Sequence, residues 1–87
     1  MTDIPSDIKK LASSRDFDVS VRIGKSGITP ALIEEVNAQF KNKKLVKIKA
    51  NKGLFEKSDM KDVWKYISSE TSSVVVLARG NVAVLWK

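Results

Sequence analysis

The spacing of hydrophobic residues along the chain alternates between the period of a helix and the period of a strand. Apolar residues at helical spacing predict a short helix over residues 5–14, and alternation predicts a half-buried strand over residues 18–23. Thr29 is a suitable N-cap and Pro30 a suitable first residue for a second helix, which the pattern ends near Lys41. The first half of the chain is therefore predicted to be helix, strand and helix.

The second half of the chain continues this change of periods. Residues 45–50 alternate apolar side chains with lysines, as expected of a strand with one buried face. A third helix is predicted to begin at Ser58 or Asp59, and two apolar strands follow, with Gly80 and Asn81 as a two-residue hairpin turn. The predicted buried stripes are Ile33, Val36 and Phe40 in the second helix and Met60, Val63, Trp64 and Ile67 in the third.

These elements predict an α/β fold, a compact single domain over residues 1–87 in the order α-β-α-β-α-β-β. Its sheet is four-stranded and mixed, because a strand, a helix and a second strand with short connections form a right-handed parallel crossover. The first two strands have a polar face, whereas the last two are apolar on both faces. We therefore expect the second and third helices to cover one face and the first helix to cover only the hairpin on the other. A basic strip with Arg22, Lys47 and Lys49 would stay in water.

Charge narrows the class of partner. The chain has 16 Lys and Arg against 10 Asp and Glu, a net charge of +6, which favours a polyanion and nucleic acid first. It contains no Cys and no His, so the commonest metal ligands and general base are missing and no cofactor or metal is predicted. No segment has the apolar character of a signal peptide or a membrane span, so we expect a cytoplasmic protein with no membrane partner.

The turn of Gly24, Lys25, Ser26 and Gly27 lies between the first strand and the second helix. This position, at the carboxyl end of a parallel strand and the N-terminus of a helix, favours an anion. The alternative is a plain turn that uses glycine for its backbone freedom. A Walker loop would need glycine at Val19 and the dinucleotide fingerprint is missing, so what remains is a G-x-x-G loop of the kind that clamps nucleic-acid backbone in KH modules.

Lysines are concentrated after the second helix, with six in residues 41–52 and no acid among them. The first three of these lysines follow a helix C-terminus, where the dipole favours cations, and they lie at the end of the sheet opposite the turn. These three are Lys41, Lys43 and Lys44. Lys49 and Lys52, by contrast, are predicted to lie at the same end of the sheet as the turn.

Aromatic residues leave several alternatives open. Phe55 would either stack on an unpaired base or anchor its loop on the core. Trp64 lies on the apolar stripe of its helix and is predicted to be core, whereas Tyr66 falls off that stripe and is a weak stacking candidate. Trp86 would either pack in the core or lie on the sheet face.

A resemblance to the CRM domain is carried by two stretches, VRIGKSGITPALIEEVNAQFKNKKLVKIKA and SSVVVLARGNVAVLWK. The CRM domain is the chloroplast RNA splicing and ribosome maturation domain, whose stand-alone bacterial form is YhbY. Its pattern G-K-x-G, then Leu or Ile, then Thr, is similar to residues 24–29, and its Leu-x-Lys-x-Lys strand to residues 45–49. Its final strand of Val, Leu, an aromatic and a basic residue is similar to residues 84–87, with Trp86 where many members have Tyr.

The resemblance implies a fold like the C-terminal domain of bacterial translation initiation factor three and RNA binding through the G-x-x-G loop. Stand-alone members are associated with ribosomal RNA in precursors of the large subunit, and multi-domain plant relatives act in intron splicing. We predict a non-catalytic, monomeric RNA-binding protein that clamps the RNA backbone. Its predicted RNA-binding residues are Arg22, Gly24, Lys25, Ser26, Gly27, Lys47, Lys49 and Lys52.

Two other classes of protein are rivals. An Alba-like chromatin protein has a similar element order, but it reaches the DNA minor groove with a long terminal hairpin, which a turn of Gly80 and Asn81 would not supply. A metal-dependent RNA-processing enzyme would use acids such as Glu56, Asp59 and Asp62. Those acids fit a solvated helix start, where negative charge is favoured, and no Cys or His supports them.

Overall fold

The computed structural model describes residues 4–14, 18–51 and 53–87, apart from the side chain of Lys57. Within these residues the chain forms helices and strands in the predicted order, with a 3₁₀ turn over Lys57–Asp59 before the last helix. The elements are α1 Ser6–Ala12, β1 Val21–Ile23, α2 Pro30–Phe40, β2 Leu45–Ala50, α3 Met60–Thr71, β3 Val74–Arg79 and β4 Val82–Trp86.

The boundaries of the two long helices follow from local chemistry. The Oγ1 of Thr29 accepts a hydrogen bond from the Leu32 amide at 3.2 Å, and Pro30 is the first helical residue, so α2 begins as predicted. α3 ends where Ser72 adopts a left-handed conformation with φ of 54°. The buried Thr71 hydroxyl donates to the Ile67 carbonyl at 2.8 Å in that last turn.

The first helix and the first strand are shorter than predicted. The hydroxyl of Ser13 donates to the Lys9 carbonyl at 3.1 Å, and α1 ends at the residue before it, Ala12. β1 has only three residues, which pair with the last three of β2 from Val21 opposite Ile48 onwards. The Ser20 amide also donates to the Lys47 carbonyl at 2.8 Å, but the strand does not extend to Ser20. The predicted strand over residues 18–23 is therefore wrong in its first half.

The sheet has the strand order β1-β2-β4-β3. β1 and β2 are parallel neighbours, which confirms the crossover prediction, and β4 is antiparallel to both β2 and β3. β4, the last strand in sequence, thus lies between β2 and β3. β1 and β3 are the two edges.

One face of the sheet packs on α2 and α3 in the main core. All four residues predicted for the stripe of α3 are buried, but in α2 Ile33 and Phe40 are only half-buried, whereas Leu32 is buried beside Val36. α2 packs on β1, β2 and α3. The core comprises Val21, Ile23, Leu32, Val36, Val46, Ile48, Ala50, Met60, Val63, Trp64, Ile67, Ala83 and Leu85.

Among the described residues, α1 is the helix that packs on the other face of the sheet. The prediction that it covers only the hairpin is wrong in part, because α1 also packs on Leu45 of β2. Ile8 and Ala12 of this helix are buried against Leu45 and Val84, and Trp86 packs beside them half-buried. α1 therefore covers the end of the sheet where β2 begins, and no described helix covers the end where β2 finishes. In the described part of the chain, no helix is both long and apolar enough to cross a membrane.

Candidate nucleic-acid interface

Three loops meet at the end of the sheet where β1 and β2 finish and β4 begins. The amide of Asn51 donates to the Ile23 carbonyl at 3.2 Å, which ties the loop after β2 to the end of β1. The amide of Ala50 donates to the Asn81 carbonyl at 2.7 Å, and the Asn81 side chain donates back to the Ala50 carbonyl at 2.6 Å. We call this assembly of residues 24–27, 51, 53–56 and 80–81 the loop end.

The G-K-S-G turn is closed by one of its own amides. The Gly27 amide donates to the Gly24 carbonyl at 3.0 Å, and Gly27 has a φ of 70°, a conformation that favours glycine. That amide is used within the turn and is therefore not available to a phosphate. Among the described residues, the amides of Lys25 and Ser26 find no backbone acceptor, and both side chains are exposed.

Gly24 differs from Gly27, because its backbone conformation does not require glycine. Its φ lies outside the left-handed region, and a Cβ atom added to it would meet no described atom within 4 Å. Gly24 is also exposed, at the mouth of the turn. The absence of a side chain therefore leaves room for a ligand rather than for a neighbouring part of the protein.

A row of cations crosses the sheet beside this turn. Arg22 pairs with Lys49, Lys49 pairs with Val82, and Val82 pairs with Arg79, so one residue from each strand lies on the same line. The three cations are exposed on the face opposite the main core. Because neighbouring strands are about 4.8 Å apart, the row spans about 14 Å across the sheet. We call Arg22, Lys49 and Arg79 the cation row, and from here on the loop end includes it.

The remaining predicted site residues and one missed residue are placed as follows. Lys47 lies on the same face two residues along β2, half-buried opposite Val84. Lys52 lies outside the described residues. Arg79 was not predicted, because its place depends on β4 pairing with β2, which is a long-range contact. The hairpin turn alone would have paired it with Val82 but not with Lys49.

Most acidic side chains of the described residues lie on the helical side of the molecule, although Glu56 is exposed in the loop end itself. Glu34 and Glu35 are exposed on α2, and Asp59 and Asp62 line a shallow groove behind the loop end with Tyr66. Repulsion from these acids disfavours approach of a polyanion from that side, so the open sheet face is the electrostatically favoured one.

Tyr66 stands among these acids, and its hydroxyl donates to the Glu70 carboxylate. This hydrogen bond, and then the carboxylate charge, raises the pKa of Tyr66 above its usual range. Tyr66 is exposed but lies on the acidic helical side, so it is poorly placed to stack on a nucleotide.

Trp64, Phe55 and Trp86 serve packing. Trp64 is 2% exposed within the main core, which confirms the prediction for it. Phe55 is half-buried and packs against that core, and Trp86 is half-buried beside α1. The loop end thus offers charge and backbone amides rather than a platform of exposed rings.

The geometry also bears on the two rival classes. Across residues 4–14, 18–51 and 53–87, no three acidic, Cys or His side chains come together as a metal site. β3 and β4 remain paired up to Arg79 and Val82, so the hairpin ends in a tight turn rather than in a long arm.

Comparisons with known proteins give one family and one fold. The sequence model of the CRS1 / YhbY (CRM) domain matches residues 6–87. No curated protein matches the chain. The fold is similar to the solution structure of the hypothetical protein SAV1595 from Staphylococcus aureus, which is named "a putative RNA binding protein". The TM-score is 0.74 at 24% sequence identity, and the alignment covers 97% of this chain and 88% of that one.

Proposed function

The chain belongs to the CRS1 / YhbY (CRM) domain family, and from this we propose that it is a non-catalytic protein that binds RNA through the loop end. The observation that carries this proposal is the meeting of two features at one place. An open glycine turn, whose Lys25 and Ser26 amides find no backbone acceptor among the described residues, lies beside a line of three exposed cations. A polyanion satisfies both features, and the acidic helical side restricts it to this face.

In the proposed mechanism a phosphate rests on the turn. The amides of Lys25 and Ser26 donate to its oxygens, and the missing side chain of Gly24 allows the close approach. Lys25 follows the phosphate with its own charge.

The neighbouring phosphates lie along the cation row, with Lys47 and Lys52 as further contributors in this proposal. Because these contacts go to phosphates and few exposed rings are at hand, binding reads backbone and shape more than base identity.

The family supports a more specific role. We place the protein with ribosomal RNA or with precursors of the large ribosomal subunit in the cytoplasm, acting as a monomer during ribosome maturation. The support for this is the resemblance in the G-K-S-G turn and in the final strand. Intron RNA, the target of the plant relatives, is the other RNA that the same contacts would hold.

A competition titration tests the proposal against the chromatin alternative. The protein is offered a structured ribosomal RNA fragment and duplex DNA of equal length, at low and at high salt. We expect preference for the RNA, and loss of that preference when Lys25→Ala is combined with Gly24→Ala. Equal or tighter binding of the DNA would move the protein to the Alba-like class.

A further inference from the structure

A second group of cations lies at the end of the sheet opposite the loop end. Lys41, Lys43, Lys44 and Lys87 all line one cleft, together with Phe40 and Asn42. The Lys87 amide donates to the Lys44 carbonyl at 3.1 Å, so the backbone holds the final residue against the start of β2. The Lys87 ammonium lies 5.9 Å from the centre of the Phe40 ring. We call these four lysines the end cluster.

The charge of the end cluster exceeds what the fold uses. Only Lys41 caps α2, and the last turn of that helix contains no basic residue. A helix C-terminus carries about half a negative elementary charge, and its effect fades within one turn, so it does not account for four cations. No Asp or Glu appears among the described residues that line the cleft. The cluster is therefore a concentration of like charge that an external anion would relieve.

The end cluster is separate from the loop end. β2 connects the two surfaces, and its 6 residues, at about 3.3 Å each, place them about 20 Å apart. Between them, α1 packs on the sheet over Leu45 and Val84. A short nucleic-acid segment that contacts one surface therefore does not reach the other.

An apolar cleft adjoins the end cluster and favours a single strand as its occupant. Lys43 and Lys44 also line this second cleft, whose volume is about 430 Å³. Its apolar wall is formed by α1 and the start of β2, and Leu11 is 53% exposed there. In a single strand, an unpaired base can turn away from its neighbours and enter such a cleft while the phosphates on either side contact the lysines. The lining residues are Ile8, Leu11, Asp18, Ser20, Lys43, Lys44 and Leu45.

We propose that the end cluster and its adjoining cleft form a second RNA-binding surface for a single-stranded segment, so that one chain holds two RNA segments at once. Charge complementarity selects the partner, because the four lysines outnumber the one acid, Asp18, that lines the adjoining cleft, and such an excess of positive charge suits a phosphate backbone. The proposal goes beyond the loop-end function, since it assigns the chain a bridging role between separate RNA segments or between distant parts of one RNA.

The test uses short oligouridines, too short to reach from one surface to the other. Half carry a fluorescence donor and half an acceptor, and sedimentation gives the number of RNAs per chain. Three double substitutions remove the same charge from three places. They are Lys43→Gln with Lys44→Gln at the end cluster, Arg22→Gln with Lys49→Gln at the loop end, and Lys61→Gln with Lys65→Gln on the exposed side of α3 as the matched control.

For the unaltered protein we expect energy transfer and two RNAs on one chain. The end-cluster variant should bind one RNA, and its energy transfer should fall about tenfold or more, since two lost phosphate contacts weaken that surface about 25-fold at about 0.1 M salt. The α3 variant should bind two RNAs, as the unaltered protein does.

The outcomes separate this proposal from the loop-end function. One RNA per unaltered chain, with the end-cluster variant behaving like the α3 variant, would overturn the second surface and leave the loop end intact. A loop-end variant that still binds two RNAs would instead overturn the loop-end function. If sedimentation shows that the complex with energy transfer contains two protein chains, the proposal that one chain bridges two RNAs would also be overturned.

Discussion

Replacing Arg22 and Lys49 by glutamine removes two adjacent members of the cation row. The two residues pair across β1 and β2, and both side chains are exposed on the open face. We expect the variant to fold normally, because the main core lies on the opposite face of the sheet. Proteins with and without the Arg22 and Lys49 substitutions are compared, and both also carry Lys43→Gln and Lys44→Gln. RNA binding at the end cluster then does not contribute to the titration.

The size of the effect follows from the number of phosphates lost. The loop end offers four described, exposed cations, namely Lys25 and the three of the cation row. For single-stranded RNA each neutralised phosphate contributes about −0.7 to the log-log salt slope, so four give about −3 and the variant about −1.4. The same relation predicts a loss of affinity of about 25-fold at about 0.1 M salt and about 5-fold at about 0.3 M salt.

The assay is a fluorescence anisotropy titration of a labelled single-stranded RNA at several salt concentrations. The matched control is Lys61→Gln with Lys65→Gln, which changes the net charge equally but lies on exposed positions of α3. We expect the control to keep the slope of about −3, since no phosphate contact is lost. An unchanged slope in the Arg22, Lys49 variant, or an equal decrease in the control, would refute the cation row as the contact surface.

Two further predictions concern the turn and the one tyrosine of the chain. Gly24→Ala should leave the thermal midpoint unchanged, because its Cβ meets no described atom within 4 Å, yet weaken RNA binding about fivefold, the loss of about one phosphate contact. Normal RNA binding by Gly24→Ala would contradict the close approach of the phosphate. Gly27→Ala should instead lower the free energy of unfolding by about 1–2 kcal/mol in a denaturant titration, because Gly27 has a φ of 70°. An ultraviolet absorbance titration should place the pKa of Tyr66 above 10.0, and Glu70→Gln should return it toward that value; an unchanged pKa in the Glu70 variant would show that the hydrogen bond is not its cause.

Local patterns in the sequence were sufficient for the elements and for the turn. The order of helices and strands, the cap at Thr29, the buried stripe of α3 and the hairpin turn were all predicted, and the structure confirms them. Each depends on residues within a few positions of one another, such as a helical repeat or a turn pair. The parallel pairing of β1 with β2 was also predictable, because a short crossover permits one hand.

The composition of the site depended on contacts between distant parts of the chain. Arg79 joins the cation row only because β4 lies between β2 and β3, and no local pattern specifies that strand order. The burial of Leu32 in place of Ile33 depends on how α2 is seated over the sheet edge. The closing of the turn by the Gly27 amide is likewise a matter of backbone geometry rather than of residue type.

The sequence by itself determined the charge of this protein, its element order and the glycine turn, because these are properties of composition and of short repeats. The tertiary structure alone decided which lysines and arginines share a surface. It placed one group of basic residues at the loop end and another in the end cluster, about 20 Å apart along β2. Strand pairing and register, which set these positions, depend on the burial of side chains far apart in sequence.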